Sequence, residues 1–333
     1  MYDAAGLALE QRKELAVALD RFAYRTPWLF DFDGEPVTVS AVARPADDHM
    51  PLTQALQATF YDRCYTRRTG RPGVLAAAVP EFVSRLSAAN AGREEWDRGW
   101  TVFQIATGGQ VFVRKGERER MAVPGAFLTE AMVGMAPQVG TTVSLRVPHE
   151  SLDAQPGYYF AFGETLDELA DQLSIVRVYF NVRAELAPEL LDALTGPLNR
   201  YQTPFQLKTP ISPAGYDRAD TAVLYFGARY FPIVARIVDL FRRRVSLDEP
   251  VPLFTKRLWP GIGVALDPGS GESFGAHRSR LVAEGLVDAW SRGIPRLEAV
   301  TERFVAGGLD PARLWLTPGA ADRFDTPQEA ALP

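Results

Sequence analysis

The stretch Ile175-Val-Arg-Val-Tyr-Phe-Asn-Val-Arg183 alternates apolar and polar side chains, which predicts a β-strand with two unlike faces. Successive side chains of a strand point to opposite faces, so the even positions form one apolar face. The odd positions place Arg177, Tyr179, Asn181 and Arg183 on the other face. Such a strand either exposes its polar face to solvent or forms the floor of a polar pocket, and the pattern alone leaves both open.

A second short strand, predicted at 204–208, divides its side chains in the same way. Leu207 points to the apolar side, whereas Gln206 and Lys208 point to the polar side. Lys208 therefore lies on a polar strand face in a part of the chain rich in arginine. A lysine among arginines is typical of a pocket for an anion, and phosphate is the anion that we expect.

The glycine-rich segment Asp267–Arg280 leads into a helix predicted at about 276–291. His277 and Arg278 lie on the same face as the apolar stripe of that helix, so they should point inward or into a cleft. Positive charge at a helix N-terminus opposes the helix dipole and costs stability unless an anion sits there. The alternative is that Glu272 pairs with these cations and that nothing binds.

The strand and helix patterns do not predict where the side chains of two further charged residues, Lys256 and Asp220, point. Lys256 follows the residues Val251–Thr255 within a strand predicted at 251–258. Asp220 is either a helix N-cap, which we favour, or an orienting partner for Lys208 or for an arginine.

The composition excludes several classes of protein. The chain has 333 residues, 47% apolar and 23% charged, as expected for about two globular domains. A net charge of -5 does not suit a nucleic-acid binder, and no apolar run approaches the length needed to span a membrane. The single cysteine, Cys64, rules out a disulfide framework, and the three histidines lack metal-ligand spacing. The N-terminus has no signal-peptide pattern, so we expect a cytoplasmic protein.

The order of patterns predicts an α+β chain in two parts, 1–165 and 170–333. In the first part, helices are predicted at about 6–24, at 52–67 and from Pro80. A small antiparallel sheet or barrel should follow, built from 100–105, 110–115, 142–147 and 158–163, with a solvated charged turn at 114–120.

The second part mixes strands with amphipathic helices. The predicted strands are 174–183, 204–208, 221–226, 251–258 and 262–266, and the predicted helices begin at Pro188, at Pro232 and near 276. The tail from Thr326 to Pro333 is predicted to be disordered.

Five segments together carry a resemblance to a known family, and each is weak alone. They are Tyr179–Arg183, Asn199–Lys208, Arg218–Tyr225, Val251–Lys256 and Asp267–Arg278. They resemble the HopA-type family, named for a bacterial type III secretion effector, over roughly residues 170–290. The resemblance extends more loosely through Phe60–Tyr65 and Tyr158–Thr165.

The resemblance implies a reaction. Family members in actinobacterial peptide-modification clusters look like phosphothreonine lyases that work with a separate kinase in making class V lanthipeptides and thioamitides. The kinase phosphorylates Ser or Thr of a precursor peptide, and the lyase removes the phosphate to leave a dehydroamino acid. Such lyases use a lysine to take the α-proton and a histidine to protonate the leaving oxygen.

Lys208 matches the lysine of these lyases and is the predicted general base. These lyases carry a Lys-x-His pattern on the preceding strand, where this chain has Asn181-Val-Arg183. His277 is therefore the candidate that replaces their histidine as the general acid. If His277 is not the acid, the phosphate leaves as a dianion held by arginines. Asp220 is the orienting candidate. The candidate phosphate ligands are Asn181, Arg183, Lys256, Arg278 and Arg280. Burial and nearby cations should lower the pKa of Lys208 from its usual value near 10.4, and the site needs no metal or organic cofactor.

The leading hypothesis is therefore a phosphoserine/phosphothreonine lyase with a phosphorylated precursor peptide and a separate peptide kinase as partners. One rival is a non-catalytic protein that recruits the peptide or the kinase, and another is an effector-like protein that acts on a phosphorylated cellular protein. The first part of the chain should bind the peptide or the kinase, or serve only as a structural cap, rather than carry the chemistry.

Overall fold

The computed structural model describes residues 9–39, 50–68, 77–130 and 135–326. Within these ranges the strands pair in antiparallel fashion into three sheets flanked by helices, which confirms the α+β class. None of the described helices combines the length and the apolar character needed to cross a bilayer. The predicted disordered tail after Thr326 and the first residues of the predicted N-terminal helix lie outside these ranges.

The N-terminal elements form a three-stranded sheet with two helices. They are α1 (Leu9–Asp20), β1 (Phe22–Thr26), β2 (Leu29–Phe32), β3 (Glu35–Thr38) and α2 (Met50–Phe60). The helix predicted to reach residue 24 ends at Asp20, because Phe22 pairs with Phe32 across a hairpin and buries its ring there. The second predicted helix changes at its end to a π-helical turn, Tyr61–Tyr65.

The next elements form a five-stranded sheet with order β6-β5-β4-β8-β7. They are α3 (Pro80–Ala89), β4 (Glu95–Ile105), β5 (Val111–Lys115), β6 (Arg118–Ala122), β7 (Phe127–Thr129) and β8 (Thr142–Val147). The predicted hairpin is confirmed. The stretch predicted as a solvated turn is mostly strand, because Arg114 and Glu119 are cross-strand partners joined by an ion pair.

The remaining elements build a seven-stranded sheet with order β14-β15-β11-β13-β12-β10-β9. They are β9 (Glu150–Ser151), β10 (Tyr158–Phe162), α4 (Leu169–Gln172), β11 (Ile175–Phe180), α5 (Ala187–Arg200), β12 (Gln206–Pro210), β13 (Ala222–Gly227), α6 (Phe231–Arg242), β14 (Lys256–Trp259), β15 (Ile262–Leu266), α7 (Phe274–Arg292) and α8 (Arg296–Ala306). Strand β10 was expected in the smaller sheet, but it pairs with β12 and places Phe160 opposite Lys208.

The two faces of the seven-stranded sheet have different coverings. Val176, Val178 and Phe180 of β11 pack with residues of α5 and α6 in one core, as the alternating pattern predicts. On the opposite face, Tyr179 and Val223 pack with α7 and with the N-terminal helices in a second core. The polar residues of β11 and β12 lie on this second face, and the packing of α7 against it encloses them.

Candidate active site around Lys208

A small cavity of about 40 Å³ lies on the α7 side of the seven-stranded sheet. It is lined by Lys208, Asp220, two arginines and five tyrosines, and the start of α7 closes one side. Strand register places Lys208 opposite Val223, and Val223 opposite Tyr179. The polar faces predicted for β11 and β12 therefore meet in one pocket rather than in solvent. This cavity is called the lysine pocket below.

Lys208 is buried in the pocket without a carboxylate or other acceptor from the described residues bonded to its ammonium group. Its Nζ lies 3.8 Å from the centre of the Tyr158 ring. Among the residues that the structure describes, none accepts a hydrogen bond from this Nζ. Burial lowers the pKa of Lys208 to about 8; the charge of Asp220 opposes this shift, and the charges of Arg218 and Arg177 add to it.

This lowered pKa makes Lys208 a usable base at neutral pH. With a pKa near 8, about a tenth of the Lys208 amines are neutral at pH 7, compared with roughly one in 2,500 for an ordinary lysine. The expectation that burial and neighbouring cations act on Lys208 agrees with this geometry.

Arg218 is the first cation of the pocket, and sequence reasoning did not select it. It binds both carboxylate oxygens of Asp220, with Nη2 2.8 Å from Oδ2. Its two Nη atoms also donate at 3.3 Å to the hydroxyls of Tyr158 and Tyr61. Asp220 therefore orients an arginine, one of the roles considered for it. The favoured N-cap interpretation is corrected, because the strand β13, not a helix, follows Asp220.

Arg177 is the second cation of the pocket. It lies on the polar face of β11, where its Nε donates at 2.7 Å to Asp267 and its guanidinium lies 5.1 Å from the centre of the Tyr225 ring. The strand alternation placed Arg177 on the correct face, although it was not chosen as a phosphate ligand. An arginine can hold phosphate in a bidentate manner, so Arg177 and Arg218 are the candidate phosphate ligands that the geometry favours.

The first turn of α7 brings helix N–H groups to the same pocket. Ser273 caps the helix, since its Oγ accepts from the amide of Ala276 at 3.2 Å. At Gly275 a Cβ atom would lie 2.3 Å from Cε1 of Tyr65 and 2.8 Å from Cε2 of Tyr61. Glycine is required there because the two tyrosines pack directly on the helix start. The positive end of the helix dipole therefore adds to the attraction for an anion.

Two buried tyrosine hydroxyls in the pocket have spare hydrogen-bonding capacity. The hydroxyls of Tyr65 and Tyr179 interact with each other, and outside this pair neither has a hydrogen-bond partner among the described residues, although both side chains are almost fully buried. Burial raises the pKa of Tyr179 to about 12 and raises that of Tyr65, so both hydroxyls are protonated at neutral pH. Buried polar groups are usually satisfied, so these donors indicate that a ligand with acceptor atoms belongs here.

The N-terminal part of the chain contributes to this pocket. Tyr61 and Tyr65 come from the π-helical turn after α2, line the pocket and pack on Gly275 at the start of α7. Such turns often occur at functional sites. Residues 1–165 were expected to bind the peptide or the kinase rather than to carry chemistry; Tyr61, Tyr65 and Tyr158 from this part line the lysine pocket, and the expected binding role stays a prediction.

His277 and Arg278 lie on α7 but do not line the pocket. Arg278 is fully buried and donates to the backbone carbonyls of Leu314 and Leu316 at 2.9 and 2.8 Å. Its Nη1 is 2.8 Å from Nδ1 of His277. Burial, with the charges of Arg278 and Arg280, lowers the pKa of His277 to about 4. His277 is therefore neutral near pH 7, and a neutral imidazole beside an arginine is a poor proton donor.

The other predicted phosphate ligands are also engaged away from Lys208. Arg183 comes after the last residue of β11, so it leaves the strand alternation and lies exposed, 3.5 Å from Asp248. The amide of Asn181 donates to the carbonyl of Pro250 at 2.9 Å.

Lys256 and Arg280 are held by carboxylates. Lys256 pairs with Asp322 at 2.8 Å, and Arg280 pairs with Glu272 and Glu284 at 3.0 and 2.8 Å. Glu272, the counter-ion considered for His277 and Arg278, pairs with Arg280 instead. The strand predicted from residue 251 begins only at Lys256, because Thr255 folds back to the carbonyl of Pro252 in a turn.

A larger cavity of about 870 Å³ lies in the N-terminal region between α1, the three-stranded sheet and α2. Its arginines are compensated: Arg21 pairs with Asp33 at 2.7 Å, and Arg67 pairs with Glu14 at 3.1 Å. Cys64 in its wall is buried, and burial raises the pKa of the thiol to about 12. Size alone does not make this cavity the reactive site, because its described lining holds no buried lysine like Lys208 and its thiol is protonated at neutral pH.

Comparison with known proteins bears on the half of the chain that holds most of the pocket. The model of the HopA1 effector protein family matches residues 149–316, which include Lys208, Arg177, Arg218 and the start of α7. The chain belongs to this family. Membership confirms the resemblance inferred from the sequence segments.

Two solved effector structures from Pseudomonas syringae are similar to this family member. The effector from pathovar tomato strain DC3000 is 16% identical, with 95% of this chain and 99% of that chain covered and a TM-score of 0.47. The effector from pathovar syringae strain 61 is 15% identical, with 80% and 94% covered and a TM-score of 0.43. No curated protein matches the chain.

Proposed function

We propose that the protein is a phosphoserine/phosphothreonine lyase that eliminates phosphate from a phosphorylated peptide. The observation that carries this proposal is the lysine pocket, where a lysine of lowered pKa lies with two arginines and a helix N-terminus. Elimination needs a base at the α-carbon and positive charge around the departing phosphate. The pocket has both within one small cavity.

In the proposed reaction the neutral amine of Lys208 takes the proton from the α-carbon of the phosphorylated residue. The C–H electron pair becomes the Cα=Cβ double bond, and the Cβ–O bond breaks. The phosphate leaves with the electron pair of that bond, and the products are inorganic phosphate and dehydroalanine or dehydrobutyrine. The reaction requires no oxidant, reductant or hydrolytic water.

Arg177 and Arg218 are the proposed phosphate ligands. Asp220 holds Arg218 in place, and the protonated hydroxyl pair of Tyr65 and Tyr179 has one O–H left as a further donor. Charge neutralisation of this kind favours departure of the phosphate as a dianion, the pathway that needs no histidine acid. Removing one well-placed donor from a developing anion typically costs about 100- to 1,000-fold in rate.

The proposed substrate is a precursor peptide phosphorylated by a separate Ser/Thr kinase during the maturation of a ribosomal peptide natural product. The family resemblance supports this context, since members in class V lanthipeptide and thioamitide clusters look like phosphothreonine-lyase relatives that work with a separate kinase. We also propose that residues 1–165 help to recruit the peptide or the kinase. β6 and β7, the edge strands of the five-stranded sheet, offer backbone groups that a peptide could pair with.

The recruitment proposal is tested with the intact protein. Binding of a full-length phosphorylated precursor is compared with binding of its phosphorylated core segment alone. Tighter binding of the full-length precursor supports recruitment, and equal affinities contradict it.

The lyase proposal is tested with Lys208→Ala and a synthetic phosphothreonine peptide, and the product is followed by mass spectrometry. We expect wild-type protein to convert the peptide to its dehydrobutyrine form and Lys208→Ala to leave it phosphorylated. Lys256→Ala is the matched control, since Lys256 lies in an ion pair outside the pocket. Undiminished elimination by Lys208→Ala would exclude Lys208 as the base. Peptide binding without conversion by the wild type would favour the non-catalytic rival.

A further inference from the structure

A second cavity, of about 250 Å³, adjoins the lysine pocket along the same strands. Tyr225 lines both cavities, so its ring is their shared wall. Gln206 lies two residues before Lys208 on the same strand face, and it is the cross-strand partner of Phe162 and of Tyr225. The second cavity is therefore one row of side chains away from Lys208.

The chemical character of the second cavity is the opposite of that of the lysine pocket. Phe162, Leu166 and Ile175 form much of its wall, and no lysine or arginine lines it among the described residues. The two carboxylates among its lining residues, Asp167 and Asp171, are already in ion pairs. Asp167 pairs with Arg120, and Asp171 pairs with Arg229 at 2.8 Å. The described lining offers no cation to neutralise a phosphate group, whereas an apolar side chain would be well covered.

The spacing of the two cavities matches that of an extended peptide. A strand advances about 3.3 Å per residue, and alternate side chains point to the same side. Lys208 and Gln206 are therefore separated by the same interval as two same-side residues of an extended substrate. A peptide with its phosphorylated residue over Lys208 brings the side chain two positions away to the second cavity.

We infer that the second cavity selects the substrate by binding a large apolar side chain two positions from the phosphorylated residue. The inference rests on the proposed lyase function, because the phosphorylated residue sets the register of the peptide. The occupant is a segment of that same peptide, since the two cavities share a wall. The geometry leaves the chain direction open, so the apolar residue belongs either two positions before or two positions after the phosphothreonine.

The test is a set of synthetic phosphothreonine peptides that carry Leu, Ala or Asp at one of these two positions. We expect Leu at one position to raise kcat/KM at least tenfold over Ala and more over Asp, with no such preference at the other. Equal turnover of all peptides overturns the inference and leaves the lyase proposal standing.

A variant then locates the preference in the cavity. Thr165→Trp places a large ring into the cavity from the loop before α4, and we expect the Leu-to-Ala ratio of kcat/KM to fall toward one. Thr101→Trp on the exposed face of β4 is the matched control and should keep the ratio. A preserved ratio in folded Thr165→Trp, with folding checked by circular dichroism, overturns the assignment to this cavity.

Binding to Lys208→Ala separates the two proposals. Fluorescence anisotropy with labelled peptides reports the Leu preference in the absence of turnover. A Leu preference in binding without elimination by the wild type would support the cavity and refute the lyase. Absence of both preference and elimination would refute both.

Discussion

The lysine pocket and the residues Arg278 and Arg280 of α7 both gather positive charge, but only the pocket has donors left for a ligand. On α7, the guanidinium of Arg278 already donates to two backbone carbonyls, and that of Arg280 already pairs with two carboxylates. In the pocket, Arg218 also has a carboxylate partner, yet its remaining donors make only long contacts of 3.3 Å to tyrosine hydroxyls. Lys208 beside it has no acceptor among the described residues. Unused hydrogen-bonding capacity, rather than the number of cations, distinguishes a candidate site from a structural cluster.

Among the changes that test the comparison between the lysine pocket and α7, replacing Lys208 should have the largest effect, and that effect is on the stability of the fold. Burial of Lys208 with a pKa of about 8 means that its charged form destabilises the fold at neutral pH. Lys208→Met should therefore raise the free energy of unfolding at pH 7 by at most about 3 kcal/mol, at 1.36 kcal/mol per pKa unit.

The pH dependence of this gain has a definite sign. The pKa of Lys208 is lower in the folded than in the unfolded state, so the cost of the charge is full below pH 8 and disappears above about pH 10.5. Denaturant unfolding of both proteins at pH 7 and near pH 10.5 measures the difference. A Lys208→Met protein that is less stable than the wild type at pH 7 would contradict the view that the buried charge of Lys208 destabilises the fold.

The next effect is on turnover. Arg218→Lys keeps one positive charge but replaces a bidentate fork by a point charge, so elimination should fall by about 100-fold. Arg280→Lys, on α7, should change the rate by less than about threefold because its half-buried ion pairs lie outside the lysine pocket and a lysine can still pair with Glu272 or Glu284. Initial rates on one phosphothreonine peptide compare the two variants. Equal losses of elimination rate in Arg218→Lys and Arg280→Lys would contradict the distinction between the lysine pocket and the basic residues of α7.

A smaller effect concerns the structural role of Arg278. A lysine at this position cannot reach both carbonyls, so Arg278→Lys should lower the free energy of unfolding by about 1–3 kcal/mol. Turnover per folded molecule should stay within about threefold of the wild type, since Arg278 does not line the pocket. A large rate loss in fully folded Arg278→Lys would return this residue to the list of phosphate ligands.

The smallest effect is expected at His277. Because its pKa is lowered to about 4, the ring is neutral at working pH and supplies no proton. His277→Asn retains an acceptor for Arg278 and should alter the elimination rate by less than about threefold. A rate loss above about 100-fold, the range of a missing acid catalyst, would restore His277 as the general acid.

Local sequence patterns were sufficient to predict the direction of site residues that lie within strands. Alternation on β11 and β12 placed Arg177, Tyr179 and Lys208 on one polar face, because a strand has a fixed period of two. The same rule failed for Arg183, because β11 ends at Phe180 and the rule does not extend past a strand end.

Other parts of the site depend on contacts between distant segments. Arg218 lies in a turn between two strands, where no periodicity indicates direction. Tyr61 and Tyr65 reach the pocket only because the π-helical turn packs on Gly275 at the start of α7. The segment that contains them was noticed through its family resemblance, but no local signal connected it to Lys208.

The pH dependence of elimination tests the central claim, that Lys208 acts as the base in its neutral form, most directly. Initial rates are measured on one phosphothreonine peptide at saturating concentration from pH 6 to pH 10. Since the neutral amine is the active form, the rate should rise tenfold per pH unit at low pH, bend near pH 8 and stay level above it. A rate that is independent of pH across this range, or that falls above neutral pH as an acid catalyst would require, would contradict the account.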